Sequence, residues 1–135
     1  MKKNELPRGL RNNNPGNIRI NNDLFQGEVR PSKDKSFKQF ETMAYGYRAM
    51  FKILSNYYRK YSLTTIRKII GRWAPENENN TSAYVSLVSS YAGIGPDDLI
   101  SFDREQMIRI VAGMSKVENG REAEMSDVIA GGNLL

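Results

Sequence analysis

The fold is decided by residues 44–61, Ala44-Tyr45-Gly46-Tyr47-Arg48-Ala49-Met50-Phe51-Lys52-Ile53-Leu54-Ser55-Asn56-Tyr57-Tyr58-Arg59-Lys60-Tyr61. Tyr47, Phe51, Leu54, Tyr58 and Tyr61 recur at i, i+4, i+7, i+11 and i+14, one stripe of a helix about four to five turns long. That helix is expected to be the spine of the core. Working outward, the composition changes once, near residue 41. Residues 12–36 are rich in turn formers, Asn12-Asn13-Asn14-Pro15-Gly16-Asn17, Asn21-Asn22-Asp23, Gly27 and Pro31-Ser32. Between them Ile18 and Ile20 alternate with polar residues, and Phe37 with Phe40 bounds a second short extended run, so a small irregular β-hairpin lobe is expected.

Downstream, a short helix is expected from Ser62 or Thr64 through Ile66, Ile69 and Ile70 to Trp73, where Pro75 stops it. Asn80 or Thr81 can cap a third helix carrying Tyr84, Leu87, Val88 and Tyr91, ended by Gly93 and Gly95. Asp103 with Gln106 forms a capping box for a fourth, with Met107, Ile110, Val111, Met114 and Val117 inward and Gly120 at its end. Ser126 can cap a last turn or two before Gly131-Gly132. With no repeat or linker in between, residues 1–135 read as one α+β domain, predominantly α: a helical bundle with a small β-hairpin lobe near its start.

At 135 residues and 39% hydrophobic, the chain can bury a core, and no apolar run approaches the ~18–20 residues of a membrane span. It contains no His and no Cys, which removes Ser-His-Asp triads, cysteine nucleophiles, zinc fingers, haem and iron–sulfur ligation and disulfides. Any proton chemistry falls to carboxylates, Lys or Tyr. The start Met1-Lys2-Lys3-Asn4-Glu5-Leu6-Pro7-Arg8 has no apolar run behind its positive charge, so no signal peptide is expected.

The net charge of +5 is divided unevenly: residues 1–73 carry 16 basic and 5 acidic side chains, residues 74–135 carry 4 and 10. A basic half favours a polyanionic partner: nucleic acid, teichoic acid, anionic lipid or the carboxylates of peptidoglycan stems. The seven basic residues from Arg48 to Arg72 can equally form the solvated faces of two helices.

Among fifteen acids, Asp97, Asp98 and Asp103 lie at or near helix starts, where the helix dipole favours them. Glu118 breaks that rule, standing in the last turn before Gly120 beside the Met114–Val117 edge of an apolar stripe. A carboxyl against apolar surface and a helix C-terminus has its charged form disfavoured, which suits a general acid; a merely exposed Glu is the alternative. Trp73 and the polar stretch Glu76-Asn77-Glu78-Asn79-Asn80-Thr81 combine an aromatic face with carboxylates and amides, as sugar recognition requires; the alternative is a core Trp followed by a loop.

The ordered motifs Arg8-Gly9-Leu10-Arg11-Asn12-Asn13-Asn14-Pro15-Gly16-Asn17-Ile18-Arg19, Phe25-Gln26-Gly27, Phe37-Lys38-Gln39-Phe40, Gly46-Tyr47-Arg48-Ala49, Arg72-Trp73-Ala74-Pro75, Glu78-Asn79-x-Thr81-x-x-Tyr84 and Glu118-Asn119-Gly120 span nearly the whole chain. They resemble small phage and prophage virion proteins that look like lysozyme-fold peptidoglycan hydrolases. Their order is also similar to that of bacterial N-acetylglucosaminidases and lytic transglycosylases, with the helix bearing the acid moved from the front to the end, as in a circular permutation. Phe25 stands where those families have Trp. The resemblance implies Glu118 as general acid and Asp34, or alternatively Glu28, as the second acid of the β lobe. It implies substrate contacts at Asn14, Asn17, Arg19, Glu78 and Tyr84, with neither metal nor organic cofactor.

The function expected is cleavage of the β-1,4 glycan bond of peptidoglycan, as muramidase, glucosaminidase or lytic transglycosylase. Its partner would be the glycan strand, with no nucleic acid, no membrane span and a monomeric state. The chain would be made in the host cytoplasm and reach the wall by phage-type release or as a virion component. Rivals are a non-catalytic virion or wall-binding module of the same fold, and nucleic-acid binding through the Arg67-Lys68…Arg72 helix.

Overall fold

A computed structural model describes residues 6–77 and 79–135. Among these the order is α1 (Arg8–Arg11), β1 (Glu28–Val29), β2 (Gln39–Phe40), α2 (Met43–Tyr61), α3 (Ile66–Trp73), α4 (Thr81–Ala92), α5 (Arg104–Asn119) and α6 (Met125–Asn133). The architecture is α+β and mainly α, as the periodicity predicts. None of the described helices is long and apolar enough to cross a membrane.

The predicted stripe is the spine: Tyr47, Phe51 and Leu54 of α2 are buried, joined by Met50. Ile66, Ile69 and Ile70 of α3 and Ile110, Val111 and Met114 of α5 complete the core, each large apolar side chain contributing roughly 1.5–3 kcal/mol by leaving water. The stripe fades toward its end, where Tyr61 is 41% exposed. α6 lies along α2, and α4 lies on α5. The α2–α6 seam is close because it holds a glycine: a Cβ on Gly131 would stand 2.6 Å from the Tyr47 Cβ and 2.9 Å from the Ala44 carbonyl oxygen.

The helix ends differ in places from the sequence expectation. α3 is capped by Thr65, whose side chain accepts the Lys68 N–H, and not by Ser62 or Thr64; Ser62 instead ends α2 in the left-handed region at φ 55°. Asn80 and Asp103 cap α4 and α5 as expected. Gln106, though, turns to the Ser101 N–H at 2.9 Å and does not close a box on Asp103. Glu124, without a side-chain cap bond, precedes α6, and Gly131 and Gly132 lie inside that helix, where a Cβ on Gly131 would collide with α2. Leu87 faces solvent, since α4 buries the neighbouring stripe Tyr84, Val85, Val88 and Ala92. The short α1 immediately precedes the turn-rich stretch.

The β lobe pairs β1 with β2 antiparallel, Glu28 opposite Phe40 and Val29 opposite Gln39, with a further bridge between Arg19 and Phe37. Its interior is ionic. Lys38 is fully buried and donates to both Glu28 oxygens at 3.0 Å and to the Asp23 carbonyl oxygen at 2.7 Å. Burial alone would push the Glu28 carboxyl up, but Arg30, the Phe25 N–H and Lys38 outweigh it and hold it below its usual range. A buried lysine is tolerated because each of these bonds replaces water.

Candidate active site

The asparagine-rich loop carries the lobe onto the helices, each amide with a different task. Asn12 donates to Asp34 at 3.1 Å and Asn13 to the Phe40 carbonyl at 3.1 Å. Asn14 is fully buried, donating to the Ile18 and Lys38 carbonyls and accepting the Ile18 N–H, all at 2.9 Å. Asn119, at the end of α5, reaches back to the Pro15 carbonyl at 2.9 Å. Gly46 permits the seam, because a Cβ there would collide with the Asn13 carbonyl and the Pro15 ring. Asn17, in the left-handed region at φ 49°, turns its amide toward Glu118; Asn is among the few residues that adopt this backbone readily.

Glu118 is thereby the meeting point of three elements. Its Oε1 accepts from Asn17 Nδ2 at 3.0 Å. Its Oε2 accepts from Trp73 Nε1 at 3.3 Å and from the Tyr84 hydroxyl at 2.8 Å. α3 brings Trp73 on its last residue and α4 brings Tyr84 on its buried stripe. Burial, with the Glu118 charge second, pushes the Tyr84 hydroxyl well above its ordinary value, so it remains a donor. No Lys or Arg among the described residues forms an ion pair with Glu118. A carboxylate has about four acceptor positions; two donors fill Oε2, while Oε1, with Asn17 alone, keeps one position open.

Glu118 lines a cleft of about 740 Å³. One wall is the lobe, with Gly16 to Arg19, Asn21, Asp23, Phe25 and Phe37; the other is helical, with Lys52, Ile53, Asn56, Tyr57 and Tyr61 of α2 and Arg72 and Trp73 of α3. Polar groups and aromatic faces stand on both sides of it.

Of the residues expected to act, Glu118, Asn17 and Arg19 line this cleft together, with Arg19 stacked 5.3 Å from the Phe37 ring centroid. Tyr84 reaches Glu118 but stands behind it, buried and outside the lining. Asn14, expected as a substrate contact, is buried with its amide on the Ile18 and Lys38 backbone and is not among the residues lining the cleft. Glu78 lies outside the described residues. Asp34 does not face Glu118 across the cleft. Its carboxylate is held by Arg8 through two bonds of 2.6 Å, by Asn12, and by the N–H groups of Ser36 and Phe37. These bonds, Arg8 first, hold it far below the usual carboxylate range. Glu28, the alternative, is committed to Lys38 and Arg30. Trp73 is neither purely core nor purely platform, being partly buried with its N–H on Glu118. The sequence reading missed Asp23, Lys52, Asn56, Tyr57 and Arg72 in the lining. The spacing of residues 52, 53, 56, 57 and 61 marks a second face of α2 and was the available signal.

No protein-family model matches the chain. Protein P5 of Pseudoalteromonas phage PM2 is 39% identical over 132 residues, an overlap of 96% of this chain and 81% of that protein. The phage kinship implied by the motifs is therefore real, and the chain belongs to the family of this phage protein P5.

Proposed function

We propose that the chain cleaves the β-1,4 glycosidic bond of bacterial peptidoglycan, on a lysozyme-like bundle, with Glu118 as proton donor. The observation that carries this reading is Glu118 in the cleft, oriented by Asn17, Trp73 and Tyr84 and paired with no cation among the described residues. A carboxyl held only by neutral donors can pass its proton without breaking an ion pair, unlike Asp34 and Glu28. The proton leaves Oε1 for the glycosidic oxygen, the bond to the sugar C1 breaks, and an oxocarbenium-like sugar forms. With Asp34 committed to Arg8, capture falls to a water ordered by Asp23 or to the substrate's own 6-hydroxyl or N-acetyl oxygen. Membership of a phage protein family supports the wall as substrate, because a phage must cross it.

Isolated peptidoglycan incubated with the protein should release glycan fragments whose ends, identified by mass spectrometry, separate the routes: reducing ends for water, 1,6-anhydro ends for the 6-hydroxyl. Glu118→Gln should lose at least about a hundredfold in rate, the usual scale for a general acid. Equal release by both proteins would remove Glu118 from the mechanism. Release by neither, with binding retained, would make the chain a wall-binding module.

A further inference from the structure

The two walls of the cleft differ in charge. Asp23 lies on the lobe side and Glu118 between the walls, whereas the helical wall presents Lys52 and Arg72 and no acid. Neither cation forms an ion pair with a described carboxylate, in contrast to Arg8, Arg30, Lys38, Arg67 and Lys116. Arg72 is also fixed in place. Its guanidinium lies 4.0 Å from the Tyr61 ring centroid and 5.2 Å from that of Tyr57. Arg72 also hydrogen-bonds the Tyr57 side chain, and the remaining N–H donors of the guanidinium can take an oxyanion, a carboxylate among them. Tyr61, 41% exposed at the end of the core stripe, is thereby explained as one side of a cation shelf. Lys52 and Asn56 stand one turn apart on the same face of α2, extending the shelf along the cleft.

We propose that Lys52 and Arg72, on the Tyr57–Tyr61 shelf, form a subsite for a carboxylate carried by the glycan strand, so that the cleft selects charged strands over neutral ones. The inference rests on the glycan reading of the cleft and adds the specificity. The carboxylate has two sources: the lactyl group of the sugar itself, free once the peptide is removed, or the acids of the attached peptide.

Binding is measured by calorimetry with Glu118→Gln, so that no strand is cut, against three ligands of equal sugar length: chitotetraose, a peptide-free muramyl tetrasaccharide, and the same tetrasaccharide with its peptides. At least one charged strand should bind about tenfold tighter than chitotetraose, as a charge-assisted contact provides, and which one does identifies the source. Adding Lys52→Gln and Arg72→Gln should abolish that preference, weakening the charged strands far more than chitotetraose, and Lys52→Arg with Arg72→Lys should restore part of it. Equal affinity for all three strands, or equal weakening of all three by the double substitution, overturns the subsite and leaves the glycan reading standing. If no strand binds, the glycan reading itself fails. Tighter capture of a single-stranded oligonucleotide than of either charged strand, lost in the double variant, would assign the shelf to phosphate instead.

Discussion

Glu118 and Asp34 are both acids engaged through both oxygens, and the identity of their partners separates them. Asp34 faces the Arg8 guanidinium, the Asn12 amide and two backbone N–H groups, an arrangement that fastens a turn and ties it to α1. Because folding depresses its carboxyl, the stability it contributes is complete above the unfolded value near pH ~4 and is lost as pH falls through the lower folded value. Asp34→Asn should therefore melt about 2–5 °C lower at neutral pH, show a shallower loss of melting temperature between about pH 4 and pH 2, and keep its activity when folded. A pH-independent difference in melting would remove the ion pair from the account, and loss of activity without loss of stability would return Asp34 to the chemistry. Glu118 was legible in the sequence because an anion at a helix C-terminus violates a local rule. The pairing of Asp34 with Arg8, 26 residues away, is not legible there, because spacing alone does not show which side chains close a turn.

At the scale of elements, the helices were legible because burial imposes a 3.6-residue period, while their ends were legible only where the cap is unambiguous. Asp103 and Asn80 are such caps. Ser62 was not, because a serine between two helices can end the first or begin the second, and the backbone at φ 55° chose the former. In the sequence the two glycines of α6 signal a stop, since glycine weakens a helix. In the structure Gly131 is a contact residue against Tyr47 and Ala44. Gly131→Val should destabilise the protein by about 1–3 kcal/mol in urea unfolding, as overpacking does, against a small effect for the exposed Ile129→Val. Equal effects at the two positions would mean that α6 does not lie on α2 in this register.

Across the whole molecule, the division of charge along the sequence becomes a division within the cleft. Apart from Ala74 and Asn79, both walls come from the basic first half, and the carboxyl between them comes from the acidic second half, with Asn17 and Glu118 joined across 101 positions. That closure was visible in the sequence only as a resemblance in motif order, because pairing over such distances leaves no local pattern. The cation shelf was invisible for a related reason: Lys52 and Arg72 read as solvated helix faces until α2 and α3 are placed side by side. Whether Glu118 meets the glycosidic oxygen in this cleft, as proposed, is tested by a crystal structure of Glu118→Gln soaked with a muramyl tetrasaccharide. A strand is expected between the lobe and α2, with one glycosidic oxygen about 3 Å, hydrogen-bond distance, from the residue 118 amide. A strand bound on another face, or one crossing the cleft with no glycosidic oxygen within reach of residue 118, would contradict the proposal.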